Sequence, residues 1–215
     1  MDDGAKWDRD TVVVVLQAAA TFASILIALI ALYAALEEAE AVRKQQEAVV
    51  WPRLVPSRGV STTGDAQTVS FEVANKGIGP AVIGDAHLEL DGKVVDGWWE
   101  AAQLLVEEDS REVPVYASNS SILGNVIAAQ ENVRLFEVST KALDELPPRV
   151  DEKQVAEMRE LYPKLIRALT EAYDARRLKI EICYCSVFEE CWSVSNEDRK
   201  PKPLDRCTEH ERSKI

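Results

Sequence analysis

The stretch TVVVVLQAAATFASILIALIALYAAL, Thr11 to Leu36, decides the architecture: 26 consecutive residues without a charge, set between Asp10 and Glu37. As a helix rising about 1.5 Å per residue it is roughly 39 Å long, more than the ~30 Å hydrocarbon layer of a bilayer requires. Twelve Val, Leu, Ile and Phe side chains between Val12 and Leu32 favour insertion, while Gln17, Thr21 and Ser24 oppose it. Trp7 and Tyr33 stand near the two ends, where amphipathic rings settle at the headgroup level. A cleaved secretory leader would want a basic start and a shorter apolar core, whereas this chain begins Met1-Asp2-Asp3. A core helix apolar on every side would need a wider globule around it than a chain of this size supplies. The stretch therefore reads as a membrane-spanning helix, with the lipid bilayer as a partner.

Moving outward, residues 1–10 form a short acidic tail before the span. Within the span Ala20, Ser24 and Ala28 recur every fourth residue, and Ala31 and Ala35 continue at the same spacing. Small side chains on one face let two helix backbones approach closely in lipid, which points to a homo-oligomer through this helix; abundant alanine without a packing role explains the same pattern. No Gly or Pro interrupts Trp7 to Trp51, and residues 37–50 are rich in strong helix formers. The span is expected to continue as a helical stalk that Pro52 stops. Lys6 and Arg9 flank one end, and Arg43, Lys44 and Arg53 the other. That difference of one positive charge barely discriminates, and the ten-residue acidic tail is short enough to be translocated, so the expectation is a single-pass protein of a bacterial inner membrane with its large domain in the cytoplasm.

The whole chain has 215 residues, 37 acidic and 25 basic, for a net charge of -12. An acidic balance argues against a phosphate-backbone partner, so nucleic acid is excluded as an expectation. Residues 51–195 read as a β-rich aqueous domain. Val69, Phe71 and Val73 alternate with polar neighbours at the period of a half-buried strand. Asn75, Gly77, Gly79 and Pro80 mark a structural turn, in which Asn and Gly can take positive φ. Ala81 to Leu90 follows as a strand, and Asp91-Gly92 is a strong hairpin signal before Lys93-Val94-Val95. Trp98 to Val106 reads as a short helix that buries one indole, and Glu112 to Ala117 and Asn132 to Ser139 as strands, the first confined to an edge by Pro114. Val155, Met158, Tyr162, Leu165, Leu169 and Tyr173 make a helical stripe. Pro163 is expected to kink it or to start a second helix, giving a helical hairpin at 151–177. Leu178 to Phe188 and Cys191 to Val194 read as paired strands turning at Glu189-Glu190, and 196–215 as a loose charged tail. The fold class expected is α+β: a transmembrane helix and stalk, then a small antiparallel β-sandwich or barrel with added helices.

A long apolar span, an Ala/Glu/Arg/Gln-rich stalk, a Trp-Pro pair, the run N-K-G-I-G-P-A, an Asp-Gly hairpin and the segment Cys183 to Trp192 together are similar to a recurring group of uncharacterised bacterial single-pass membrane-anchored proteins. The likeness covers residues 11–100 and 178–194. It implies an anchored β-rich domain and carries no reaction, ligand or site residue with it.

Candidate chemistry is sparse. Gly77-Ile78-Gly79-Pro80 lacks the third glycine and the following helix of a dinucleotide loop. Cys183, Cys185, Cys191 and Cys207, with His210, are enough ligands by type for zinc, but their spacing is unhelpful. With an even turn at Glu189-Glu190, Cys185 falls opposite Val194 and on the other face from Cys191, so the strand cysteines would not converge without a bulge. Idle or buried thiols are the main expectation, with disulfides and zinc as alternatives. His87 is expected as a half-exposed strand residue, and Glu107-Glu108-Asp109 and Glu189-Glu190 as solvated turns. No cofactor and no catalytic residue is assigned. The function expected is a non-enzymatic bitopic membrane protein whose tethered domain acts as a recognition or scaffold module for an unknown protein or small-molecule ligand. Two alternatives stand beside it: a membrane effector of a bacterial defence system whose helices disrupt the bilayer, and a zinc- or thiol-dependent redox domain.

Overall fold

A computed structural model describes residues 9–106, 117–144, 151–198 and 200–208; the side chains of Glu47, Ala48 and Ser118 are outside that description. Also outside it lie Lys6, Trp7, the Glu107–Asp109 run, most of the strand expected over Glu112–Ala117 with Pro114, and His210. The chain divides into two compact units, Met1–Ala48 and Val49–Ile215.

The described residues of the first unit lie in one long helix, α1, Arg9–Val49. Its segment Arg9–Gln46 is long and apolar enough to cross a membrane and has none of its apolar window buried in protein. The large side chains on it are open, from Val12 at 40% exposed to Phe22 at 71%. In water that surface would be costly, at about 25 cal/mol per Å² of apolar area. The Thr21 hydroxyl donates to the Gln17 carbonyl at 2.8 Å and the Ser24 hydroxyl to the Ala20 carbonyl at 2.9 Å, so both polar groups are satisfied on the helix itself.

Among its described residues the second unit carries two antiparallel sheets, as an α+β reading of the sequence leads one to expect, and they do not close into a barrel. The first has the order β1 (Leu54–Thr63), β2 (Ala66–Asn75), β7 (Asn132–Ser139), β5 (Ser118–Asn119). The second has the order β10 (Lys202–Leu204), β9 (Cys191–Ser195), β8 (Leu178–Cys185), β3 (Ala81–Leu90), β4 (Lys93–Val95), with β6 (Val126–Ile127) also paired to β3. Pro56 lies in β1 and Pro203 in β10, each an outermost strand, where a residue without an N–H is tolerated. At the β3–β4 hairpin Asp91 and Gly92 both take positive φ, 51° and 77°, the handedness that matches strand twist.

One apolar core joins the sheets to two helices, α2 (Gly97–Val106) and α3 (Glu152–Asp174). Trp98 is 1% exposed and stacks on Phe136 at 5.0 Å and against Phe71 at 4.7 Å, whereas Trp99 faces outward. Asp151 caps α3, its carboxylate accepting from the Lys153 amide at 3.1 Å. The expected helical hairpin is a single helix: α3 runs on through Pro163. A proline removes only one intrahelical hydrogen bond, and the buried Met158, Tyr162, Leu165 and Leu169 seat the turns on both sides of it against the same core. The loose tail expected from 196 is corrected too: β10 pairs with β9, Lys202 opposite Ser193 and Leu204 opposite Cys191.

Candidate functional site

Two places in the second unit bring together the residues that the sequence singles out. The first is the turn after β2. Asn75 is fully buried, and its side chain is satisfied four times: the amide donates to the carbonyls of Gly79 (2.8 Å) and Ile127 (3.2 Å), and the oxygen accepts from the amides of Gly77 (3.0 Å) and Arg53 (3.1 Å). The backbone of the turn adds Lys76 N–H to the Arg53 carbonyl at 2.7 Å and Ile78 N–H to the Trp51 carbonyl at 3.1 Å. Asn75, Gly77 and Gly79 do not use positive φ, contrary to the expectation for this cluster. The glycines are needed for contact instead: a Cβ on Gly77 would lie 2.4 Å from the Trp51 carbonyl oxygen, and one on Gly79 only 1.7 Å from that of Val50. The cluster is a clamp on the segment 50–53 by which the chain enters the globular unit.

The second place is the outer face of the six-stranded sheet. Alternation along a strand puts Asp85, His87 and Glu89 on one side of β3, and Lys179, Glu181, Cys183 and Cys185 on the same side of β8. The register pairs Asp85 with Cys183, His87 with Glu181 and Glu89 with Lys179. His87 is 4% exposed rather than half exposed. Its Nδ1 lies 3.0 Å from the Asp85 carboxylate and its Nε2 3.5 Å from that of Glu89. His87, Glu89 and Glu181 are spaced to hold a cation between them. The Lys179 ammonium already serves both carboxylates, 3.3 Å from Glu89 and bonded to Glu181. Burial pulls that ammonium down, but the two carboxylates outweigh burial and hold it above its usual value. Beside it a cleft of about 150 Å³ is lined by Lys179, Ser193, Ser195, Asp198 and Lys202.

On the same face the cysteines converge, which corrects the expectation of idle thiols. The hairpin between β8 and β9 turns over Ser186–Glu190, with Ser186 N–H to the Glu190 carbonyl at 2.8 Å and Glu189 at φ 64°. This odd, five-residue loop places Cys185 directly opposite Cys191, and Val194 opposite Ile182. Cys185 is disulfide-bonded to Cys191, and Cys183 to Cys207. No cysteine is free. The two bridges touch, with Cys185 Sγ 3.8 Å from Cys207 Sγ. Room for Cys207 comes from Gly84, at a shift in the β3–β8 register between Ile83 and Asp85: a Cβ there would sit 2.6 Å from the Cys207 Cβ.

Sequence reasoning missed Asp85 and the burial of His87, although the pattern Asp85-x-His87-x-Glu89 on a predicted strand puts all three on one face. It named all four cysteines and kept disulfides and zinc as alternatives, but it missed their convergence, because an even turn at Glu189-Glu190 separates Cys185 from Cys191 and Cys207 arrives from a segment without strand character. The small residues Ala20, Ser24, Ala28, Ala31 and Ala35 lie on α1, in the first unit, and all are exposed. Comparison of the chain with protein-family models, with curated proteins and with solved structures finds no match.

Proposed function

We propose that the chain is a non-enzymatic, single-pass membrane protein of a bacterial inner membrane. In this reading α1 holds the β-rich unit, a small two-sheet sandwich, at a bilayer surface as a recognition or scaffold module. The observation that carries it is the exposed, uninterrupted apolar helix, whose side chains have lipid as their natural solvent. Self-association along Ala20, Ser24, Ala28, Ala31 and Ala35 is part of the proposal, because packing of small residues is what draws helices together in lipid. The hydroxyls of Thr21 and Ser24 are turned onto their own helix, which weighs against the effector reading, in which they would line a polar opening.

The polar cleft beside β9 and β10 is where a small polar ligand or a peptide would meet the module. We read that face as a binding surface rather than a reaction centre because its charges are paired with one another: Lys179 with Glu89 and Glu181, His87 with Asp85. On the side of the membrane, two arguments oppose each other. The one extra positive charge after the span favours the cytoplasm, and the two disulfides favour an oxidising compartment.

The full-length chain should stay in the membrane pellet through an alkaline carbonate wash and leave it only with detergent. Recovery of intact, monodisperse protein in the supernatant sinks the proposal. A topology reporter fused after Ile215 then assigns the side.

A further inference from the structure

We propose that the four cysteines, once reduced, form a tetrahedral zinc(II) thiolate site on the outer face of the six-stranded sheet. The proposal goes beyond membrane anchoring and does not depend on it. Cys183 and Cys185 project from one face of β8, Cys191 stands across from Cys185 on β9, and Cys207 reaches the same sulfurs from beyond β10. The Sγ atoms of Cys185, Cys191 and Cys207 all lie within 4.8 Å of one another, and Cys183 is bonded to Cys207.

The spacing is the decisive point. At a Zn–S distance of about 2.3 Å, the sulfurs of a regular tetrahedron are about 3.8 Å apart. Cys185 and Cys207, which belong to different disulfides, are already 3.8 Å apart. Each bonded pair has to open to the same length and the Cys183 sulfur, which stands outside the close group of three, has to move in, changes that side-chain rotation provides while the β8–β9 ladder stays as it is. The ligands come from segments fixed independently: the register of β8 and β9, the β9–β10 pairing, and the space that Gly84 leaves for Cys207. Four soft thiolates at one point select zinc over the hard cations that carboxylates hold.

The chemistry balances with a dithiol as reductant. Two disulfides and two dithiol molecules give four cysteine thiols and two cyclic disulfides. The four thiols then bind one Zn²⁺ as Zn(S-Cys)₄²⁻ and release four protons. In a reducing compartment one metal node would thereby hold the three segments that two disulfides hold in an oxidising one. That removes the opposition between the charge count and the disulfides, since the cluster fastens the fold on either side of the membrane.

The test uses the full-length chain in detergent micelles, reduced anaerobically with a dithiol, desalted into metal-free buffer and titrated with Co²⁺. One equivalent should produce sulfur-to-cobalt charge transfer and the intense visible bands of tetrahedral thiolate coordination. Zinc should bleach both and should shield all four thiols from alkylation. Cys207→Ser and Cys191→Ser should each weaken cobalt binding at least tenfold. If reduction costs the chain its β-sheet circular dichroism, zinc should restore it. Four alkylatable thiols with no cobalt spectrum, a spectrum unchanged in Cys207→Ser, or sheet signal lost on reduction and not regained with zinc would each overturn the site.

Discussion

The clamp around Asn75 and the sulfur cluster around Cys185 both fasten a distant segment of chain to a sheet, and they do it by opposite means. The clamp holds residues 50–53 with uncharged hydrogen bonds and with glycines whose missing Cβ lets two backbones touch. The cluster holds the segment after β10 with atoms that can break and remake bonds. The first fastening depends on geometry alone and is the same in any compartment. The second depends on the electron supply around it.

The largest effect should come from removing that supply-dependent fastening. In metal-free buffer, reducing both bridges should cost about 5 kcal/mol in denaturant unfolding, about 3 from Cys183–Cys207 and about 2 from the shorter Cys185–Cys191 loop. An unfolding curve that a reductant leaves in place would show that the cluster fastens nothing. Next comes the clamp. Gly79→Ala puts a Cβ inside the Val50 carbonyl, and a loss of about 4 kcal/mol is expected whether or not reductant is present. Asn75→Ala strips four hydrogen bonds from buried partners and should cost about 3 kcal/mol by the same measurement. If either variant became milder in oxidised than in reduced protein, the two fastenings would be coupled rather than independent.

A smaller effect lies behind the cluster. Tyr184 sits on β8 between Cys183 and Cys185 and faces the core, where burial pushes its hydroxyl up to about 12 despite the nearby Arg53 charge. The folded state favours the neutral phenol, so the unfolded chain releases its proton first, at pH about 10. Stability from this group is complete below pH 10 and is lost as pH rises towards 12. Tyr184→Phe should flatten that alkaline slope, by up to about 2 kcal/mol at its upper end. The smallest effect is expected at the exposed pair of Arg177 with Asp91, 2.7 Å apart. The pair is a two-point fork, with a second hydrogen bond from Arg177 Nε at 2.8 Å, but both side chains are about half exposed, so Arg177→Met should cause only a small loss in denaturant unfolding, below that of every variant above.

What the sequence disclosed, and what it hid, follows the range of the forces involved. The apolar helix is legible because an unbroken run of uncharged, strongly helix-forming residues is a local signal, and the antiparallel sheets because alternation and the Asp91-Gly92 turn are local signals too. The single helix through Pro163 is hidden because a core supplied by two sheets offsets one lost hydrogen bond. The purpose of Gly77 and Gly79 is hidden because the backbone they touch, residues 50–53, is more than twenty positions away. The cysteine pairing turns on the parity of one loop: an even turn at Glu189-Glu190 scatters the sulfurs, whereas the five residues Ser186–Glu190 bring Cys185 to Cys191. Composition does not encode that parity. His87 reads as half-exposed because alternation reports only which side of a strand a residue takes, and says nothing of what lies over it.

The placement of Pro56 and Pro203 in the two outermost strands has a consequence if the proposed anchoring confines the molecule to two dimensions. Copies anchored in one bilayer, as proposed above, would collide side by side at local concentrations that free diffusion in solution would not reach. An open strand border is a template for fibrous stacking. At each of those borders the proline withholds one amide that an incoming chain would need, and among the described residues the opposite borders end in strands of two or three residues. Under the proposed anchoring, crowding at the surface would bring copies together through α1 without seeding aggregation through the sheets.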